Sequence, residues 1–247
     1  MVRVRRYVVL ALFVLVCLGV TLLLGSSGVA QQPSGRPRAD DPTADSEGKP
    51  LPGTSIPCAP IAEKRQELGC YVIARQRLGA LPPGTPLAWQ LDVFPSRAAA
   101  EAAKGQLATI ADAFDRIWLF TIAPPDWRPG AGAEHVATVG PLPLNSAPAE
   151  YTAMYFATTF RPGLSSFVHS HPGPEAWFIV SGEQCLETPD GAMPGRAGDR
   201  VVVRGNLPMI IHATGTEIRR NFALILHDAT KAATARVDTW TPKGLCK

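Results

Sequence analysis

Apolar side chains recur along this chain in short runs and in alternations of period two, the pattern of β-strands. In the second half the runs are dense. Residues 151–160, 167–171, 175–180, 184–188, 201–203, 209–212 and 221–228 read as strands, and Pro189-Asp190-Gly191 is a strong turn between two of them. In the first half, residues 71–74, 87–94, 117–122 and 136–139 read the same way. One helix is expected over 97–104: Ser96 can cap it, alanines fill it and Gly105 ends it. Short strands separated by turns rich in Gly and Pro predict a mainly β fold, a sandwich or jelly roll, with additional N-terminal strands and one short helix. Arg128-Pro-Gly130 echoes Arg161-Pro-Gly163, and a histidine follows each. The echo fits a degenerate duplicated half as well as extra strands packed on one barrel.

The first 57 residues have a different pattern. Residues 7–24 are an uncharged apolar run behind Arg3, Arg5 and Arg6, and small residues lead to Ala30. Segment 1–30 therefore reads as a signal peptide or an uncleaved signal anchor. Either one places the rest of the chain on the extracytoplasmic side, periplasmic, secreted or tethered to the membrane through residues 7–24, because the arginines stay inside. Cys17 lacks the small preceding residue that a lipid attachment site needs. Residues 31–57 carry six prolines and almost no large apolar side chain, so they read as a disordered tether.

Charge and cysteines narrow the picture further. The net charge of +3 equals the contribution of those three arginines, so the exported part is balanced. No basic stripe points to nucleic acid. Cys58, Cys70, Cys185 and Cys246 suggest one or two disulfides in an oxidising compartment, with three pairings open. Cys185 reads either as a thiol facing a pocket or as a packed or disulfide-bonded residue.

The chemistry concentrates in 163–182. His169 and His171 are two apart, so on a strand both imidazoles face one side. Pro172-Gly173-Pro174 then forces a turn that returns Glu175 at the head of the next strand. Two imidazoles and a carboxylate on rigid strands suit one divalent transition metal, Fe, Mn, Zn or Ni, with coordination positions left open. Glu175 is the candidate catalytic group, as a fixed ligand or as a base. Phe167, Trp177 and Ile179 would line a cup around these groups, or simply pack the core.

With Gly163, His169, His171, Glu175 and Gly182 in place, this stretch resembles the first motif of the cupin superfamily, G-x5-H-x-H-x3or4-E-x6-G. The resemblance covers about a third of the chain, 151–228. It implies a double-stranded β-helix over 147–247, behind an N-terminal β-rich region over 58–146. The second cupin motif, G-x5-P-x-G-x2-H-x3-N, is less well kept. Gly198-Asp199, Pro208 and His212 are present, but the gap from Pro208 to His212 is short and Thr216 stands where Asn is expected. His212 is the resulting candidate for a third imidazole ligand. The family further implies a small-molecule substrate or ligand, a homodimer through sheet edges, and enzymes of dioxygenase, isomerase, decarboxylase or lyase type. A non-catalytic extracytoplasmic small-molecule or sugar binding or sensing module is the alternative. His227 reads as a core or edge residue. Glu217, Arg219 and Arg220 read as charges at the cup's mouth or on a solvated turn.

Overall fold

The computed structural model describes residues 58–144 and 147–246. The signal segment and the tether lie outside the described residues. Among the described residues, no helix is long and apolar enough to cross a membrane.

Among the described residues, fifteen strands, one α-helix and one 3-10 turn (Ile61–Glu63) make up the architecture. The largest sheet has six strands. These are β1 (Cys58–Pro60), β2 (Gly69–Gly79), β7 (Tyr151–Phe160), β9 (Glu175–Ser181), β12 (Arg200–Val203) and β14 (Arg219–Asp228), in the order β1-β2-β7-β14-β9-β12. A second sheet has four strands, β3 (Ala88–Phe94), β4 (Ala108–Ala113), β5 (Arg116–Ala123) and β6 (Glu134–Val139), in the order β4-β5-β3-β6. Two small sheets complete the fold. One joins β10 (Glu183–Thr188), β11 (Gly191–Arg196) and β13 (Ile210–Thr214), and the other pairs β8 (His169–Ser170) with β15 (Ala235–Arg236).

The six-stranded sheet is the middle layer. Nine of the ten residues of β7 are buried, because the sheet is covered on both faces and the alternation of a half-exposed strand disappears. On one face its Tyr155, Phe178 and Phe222 pack against Trp89, Trp118 and Phe120 of the four-stranded sheet. Trp118 and Phe120 meet Phe222 edge to face at 4.8 and 5.2 Å, a favoured aromatic geometry. On the other face Phe156, Trp177, Val201 and Ile225 pack with Leu186 and Met209 from the small-sheet side, which encloses the cup.

The helix α1 (Arg97–Ala103) forms as expected, with the Ser96 hydroxyl accepting the Ala99 N–H at 3.2 Å. Two disulfides join Cys58 to Cys70 and Cys185 to Cys246. The first ties β1 to β2, where the two residues are register partners. The second fastens the end of the chain to β10.

Candidate metal centre

The centre is built by the turn that follows β8. His169 exchanges two backbone hydrogen bonds with Met209, at 3.0 and 2.8 Å, which fixes the strand carrying the first imidazole. The chain then turns through Pro172-Gly173-Pro174. Gly173 approaches β14 so closely that a Cβ there would lie 2.0 Å from the Leu226 carbonyl oxygen, and the Pro174 carbonyl accepts the Leu226 N–H at 3.0 Å. This contact sets Glu175 at the first position of β9, back beside the histidines.

His169, His171 and Glu175 are brought together. One donor atom from each lies within 4.8 Å of the others. All three are buried, at 8, 3 and 6% exposure. Each imidazole is oriented through Nδ1. His169 Nδ1 donates to the Phe167 carbonyl at 2.8 Å and His171 Nδ1 to the Ala233 carbonyl at 2.7 Å. Both Nε2 lone pairs therefore point inward, the arrangement found where imidazole binds a metal. His171 Nε2 lies 2.9 Å from Glu175 Oε2, and neither atom has another partner. A divalent cation between them would satisfy both, so the donor set fits the metal that the sequence motif implies.

Electrostatics treat the two imidazoles differently. Burial, and then the nearby His171, push His169 down to about 4, so its ring is uncharged at neutral pH. For His171 burial also works against charge. The Glu175 carboxylate and the Ala233 carbonyl together outweigh it and leave the pKa raised. At His171 a proton and a metal therefore compete for the same lone pair.

The fourth candidate, His212, does not join them, which corrects the expectation of a third imidazole. On β13 it is the register partner of Cys185. Directly paired residues share a face, and Leu186, on the opposite face of β10, is the residue that packs into the cup with Met209. His212 therefore points away from the cup. Its Nδ1 lies 2.6 Å from Ser165 Oγ, and its donor atom groups with Glu187 and Cys246. Counting the second motif from Gly198, rather than back from His212, resolves the mismatch. Arg204 falls at the proline position, Asn206 at the glycine and Met209 at the histidine. Asn206 supports this register, since it adopts φ 61°, the left-handed conformation a motif glycine would supply. Its N–H also binds the His171 carbonyl at 2.6 Å. A thioether thus stands where the motif has an imidazole.

Sequence reasoning also misplaced Arg219. It is 1% exposed rather than at the mouth. Its guanidinium donates to Gln184 Oε1 at 3.0 Å and to Thr158 Oγ1 at 2.9 Å, and it lies 4.8 Å from the Phe160 ring centroid. Asn221 Nδ2 donates to the same Gln184 oxygen at 3.1 Å. Burial pushes the Arg219 pKa down to about 9. Its even spacing from Ala223 and Ile225, both in the cup's core, was the available clue. His227 is buried, with Nδ1 donating to the Asp228 carbonyl at 2.8 Å, as a core histidine would be.

No protein-family model matches the sequence, and no curated protein matches it. Among solved structures, a cupin-like protein from Thermotoga maritima is similar at 19% identity over 34% of this chain and 64% of its own, with a TM-score of 0.32. A protein with a double-stranded β-helix domain from Klebsiella pneumoniae is 18% identical over 40% of this chain and 82% of its own, with a TM-score of 0.31. A DMSP lyase from Ruegeria pomeroyi is 20% identical over 37% of this chain and 45% of its own, with a TM-score of 0.31. These likenesses accompany a mainly β fold of several sheets with one short α-helix, in a chain whose sequence has every fixed position of the first cupin motif and a second motif altered at its ligand position.

Proposed function

We propose that this chain is an extracytoplasmic cupin that holds one divalent transition metal on His169, His171 and Glu175 and acts on a small organic molecule as a metal-dependent enzyme. One observation carries the reading: the buried His171 Nε2 and Glu175 Oε2 face each other at 2.9 Å, and the His169 imidazole joins them within 4.8 Å. A metal bound there would supply Lewis-acid or redox chemistry, and three protein ligands leave positions open for substrate. Glu175 is the group best placed to hold or move a proton at its Oε2. Two disulfides and the arginine-led apolar segment support placement outside the cytoplasmic membrane.

One feature favours the second reading, a non-catalytic binding module. The segment after β14 covers the ligands: the Ala233 carbonyl holds His171, and β15 pairs with β8 directly at His169. A closed site of this kind suits a retained ligand or ion as well as turnover.

Metal analysis separates these possibilities. The purified full chain should carry about one equivalent of metal. The His171→Ala variant should lose it, and His212→Ala should keep it. Full metal content in His171→Ala would remove the centre proposed here. An exogenous small anion that perturbs the spectrum of the cobalt-loaded protein would mark an open position and support the enzyme. An unresponsive spectrum would support the binding module.

A further inference from the structure

The outer face of the small sheet carries a second cluster that the cup does not use. Cys185 and Glu187 are two apart on β10, so they share a face, and His212 lies directly opposite Cys185 on β13. The C-terminal segment closes over them. Cys246 is bonded to Cys185, and the Glu187 carboxylate accepts the N–H groups of Lys243 and Leu245, the latter at 2.9 Å. One donor atom each from Glu187, His212 and Cys246 lies within 4.8 Å of the others.

Two features of this cluster are not explained by fastening the chain end. Glu187 is fully buried, yet among the described residues no cationic group lies within 4 Å of its carboxylate. Two backbone amides donate to it, but no cation among the described residues neutralises its charge. His212 Nε2 is also buried and has no partner, while Nδ1 is held by Ser165 Oγ. With Nδ1 held by that hydroxyl, Nε2 is the ring atom left to serve as a ligand.

We propose that Cys185, Cys246, His212 and Glu187 form a redox-gated site for a soft divalent cation, zinc in the first instance. In the disulfide the sulfurs are poor donors. A dithiol reductant transfers two electrons and two protons to the Cys185–Cys246 bond and is itself oxidised to a disulfide. The two thiols released then give up their protons as the cation binds. Two thiolates, one imidazole and one carboxylate are a donor set that zinc accepts. Each Glu187 oxygen can accept a tail amide and still offer a lone pair. The site shares no residue with the His169–His171–Glu175 centre, so it stands independently of the function proposed above. Reduction thereby exchanges a covalent staple of the C-terminal segment for a metal-held one.

Cobalt reports on this directly, because only a sulfur ligand gives a thiolate-to-cobalt charge-transfer band. The full chain, purified in detergent, is reduced with a dithiol, desalted without oxygen and titrated with cobalt(II). The band should appear with one equivalent in reduced protein and be absent from oxidised protein. It should persist when His169 and His171 are both replaced by Ala, and when Cys58 and Cys70 are both replaced by Ser. His212→Ala should weaken cobalt binding at the band by at least about tenfold. Cys246→Ser should cut the band by about half or more, because Cys185 is then the one sulfur donor left at the site, while circular dichroism shows the strands intact. A reduced protein with no band overturns the proposal. So does a His212→Ala variant that binds cobalt as tightly as the parent chain, and this second result decides the matter even if Cys246→Ser fails to fold.

Discussion

At His171 two lone pairs meet. Nδ1 is committed to the Ala233 carbonyl, so Nε2 faces the Glu175 carboxylate with nothing to donate unless the ring takes a second proton. The metal and that proton are alternatives at one atom, and which one wins depends on how many other donors the metal finds. Met209 bears on this. It occupies the second-motif histidine position, and its backbone is paired with His169, the first ligand. A thioether is a weak, soft donor, so the proposed centre would have three firm ligands rather than four. Met209→His should therefore tighten zinc or manganese binding by about tenfold or more, equivalent to ~1.4 kcal/mol. Competition with a chromophoric chelator measures this. Unchanged affinity would mean that residue 209 does not face the metal. The sequence held this information but in a disguised form. Asn206 stands in for a glycine and Arg204 for a proline, so the motif is visible only when counted from Gly198. Pro208 and His212 offered a nearer but false match, and a shift of three residues on a strand reverses the face.

Elements were legible to the extent that their own side chains determined them. β3, β5, β7, β9, β12 and β14 are rich in apolar, β-branched and aromatic residues, and α1 has its cap, so the pattern alone locates them. β11 was not legible. Gly191-Ala-Met-Pro-Gly-Arg196 reads as a turn, and it is a strand only because β10 pairs with it along one side. As an edge strand it tolerates Pro194. β4 is similar, since its alanines and Asp112 are weak strand formers held by β5. The turn between β8 and β9 is the element on which the site depends, and there a single residue decides. Gly173→Ala would drive a Cβ into the Leu226 carbonyl, where backbone rather than a flexible side chain must yield. The expected loss is about 3 kcal/mol of stability together with most of the metal, because Glu175 moves with the turn. Urea unfolding and metal content should change in concert. A variant that stays fully loaded would show that β9 does not need this approach to position its carboxylate.

The whole molecule buries its histidines in different electrostatic states, and acid should expose that difference. His169, His212 and His227 all have lowered pKa values, with burial as the main cause. Below the ordinary value near 6.5 the unfolded chain takes up protons that these folded rings refuse. The stability they contribute is therefore full above that value and is lost as pH falls toward the folded pKa, about 4 for His169. At pH 5 the His169 contribution alone corresponds to a loss of about 2 kcal/mol. His171 has the opposite sign. Its raised pKa adds stability at low pH, which disappears as pH rises through the folded value, so it offsets part of the loss in the metal-free protein. Metal removes that offset. A bound cation needs both imidazoles neutral and binds only the folded chain, so it adds stability at pH 7.5 and leaves as the rings protonate. Urea unfolding at pH 7.5 and pH 5, with and without a chelator, should give two lines of different steepness. The chelated protein should lose stability on acidification, the metal-loaded protein distinctly more, and the two should converge near pH 5. Parallel lines would mean that the cation does not share its ligands with these protons, and a flat line in both states would mean that the imidazoles reach solvent.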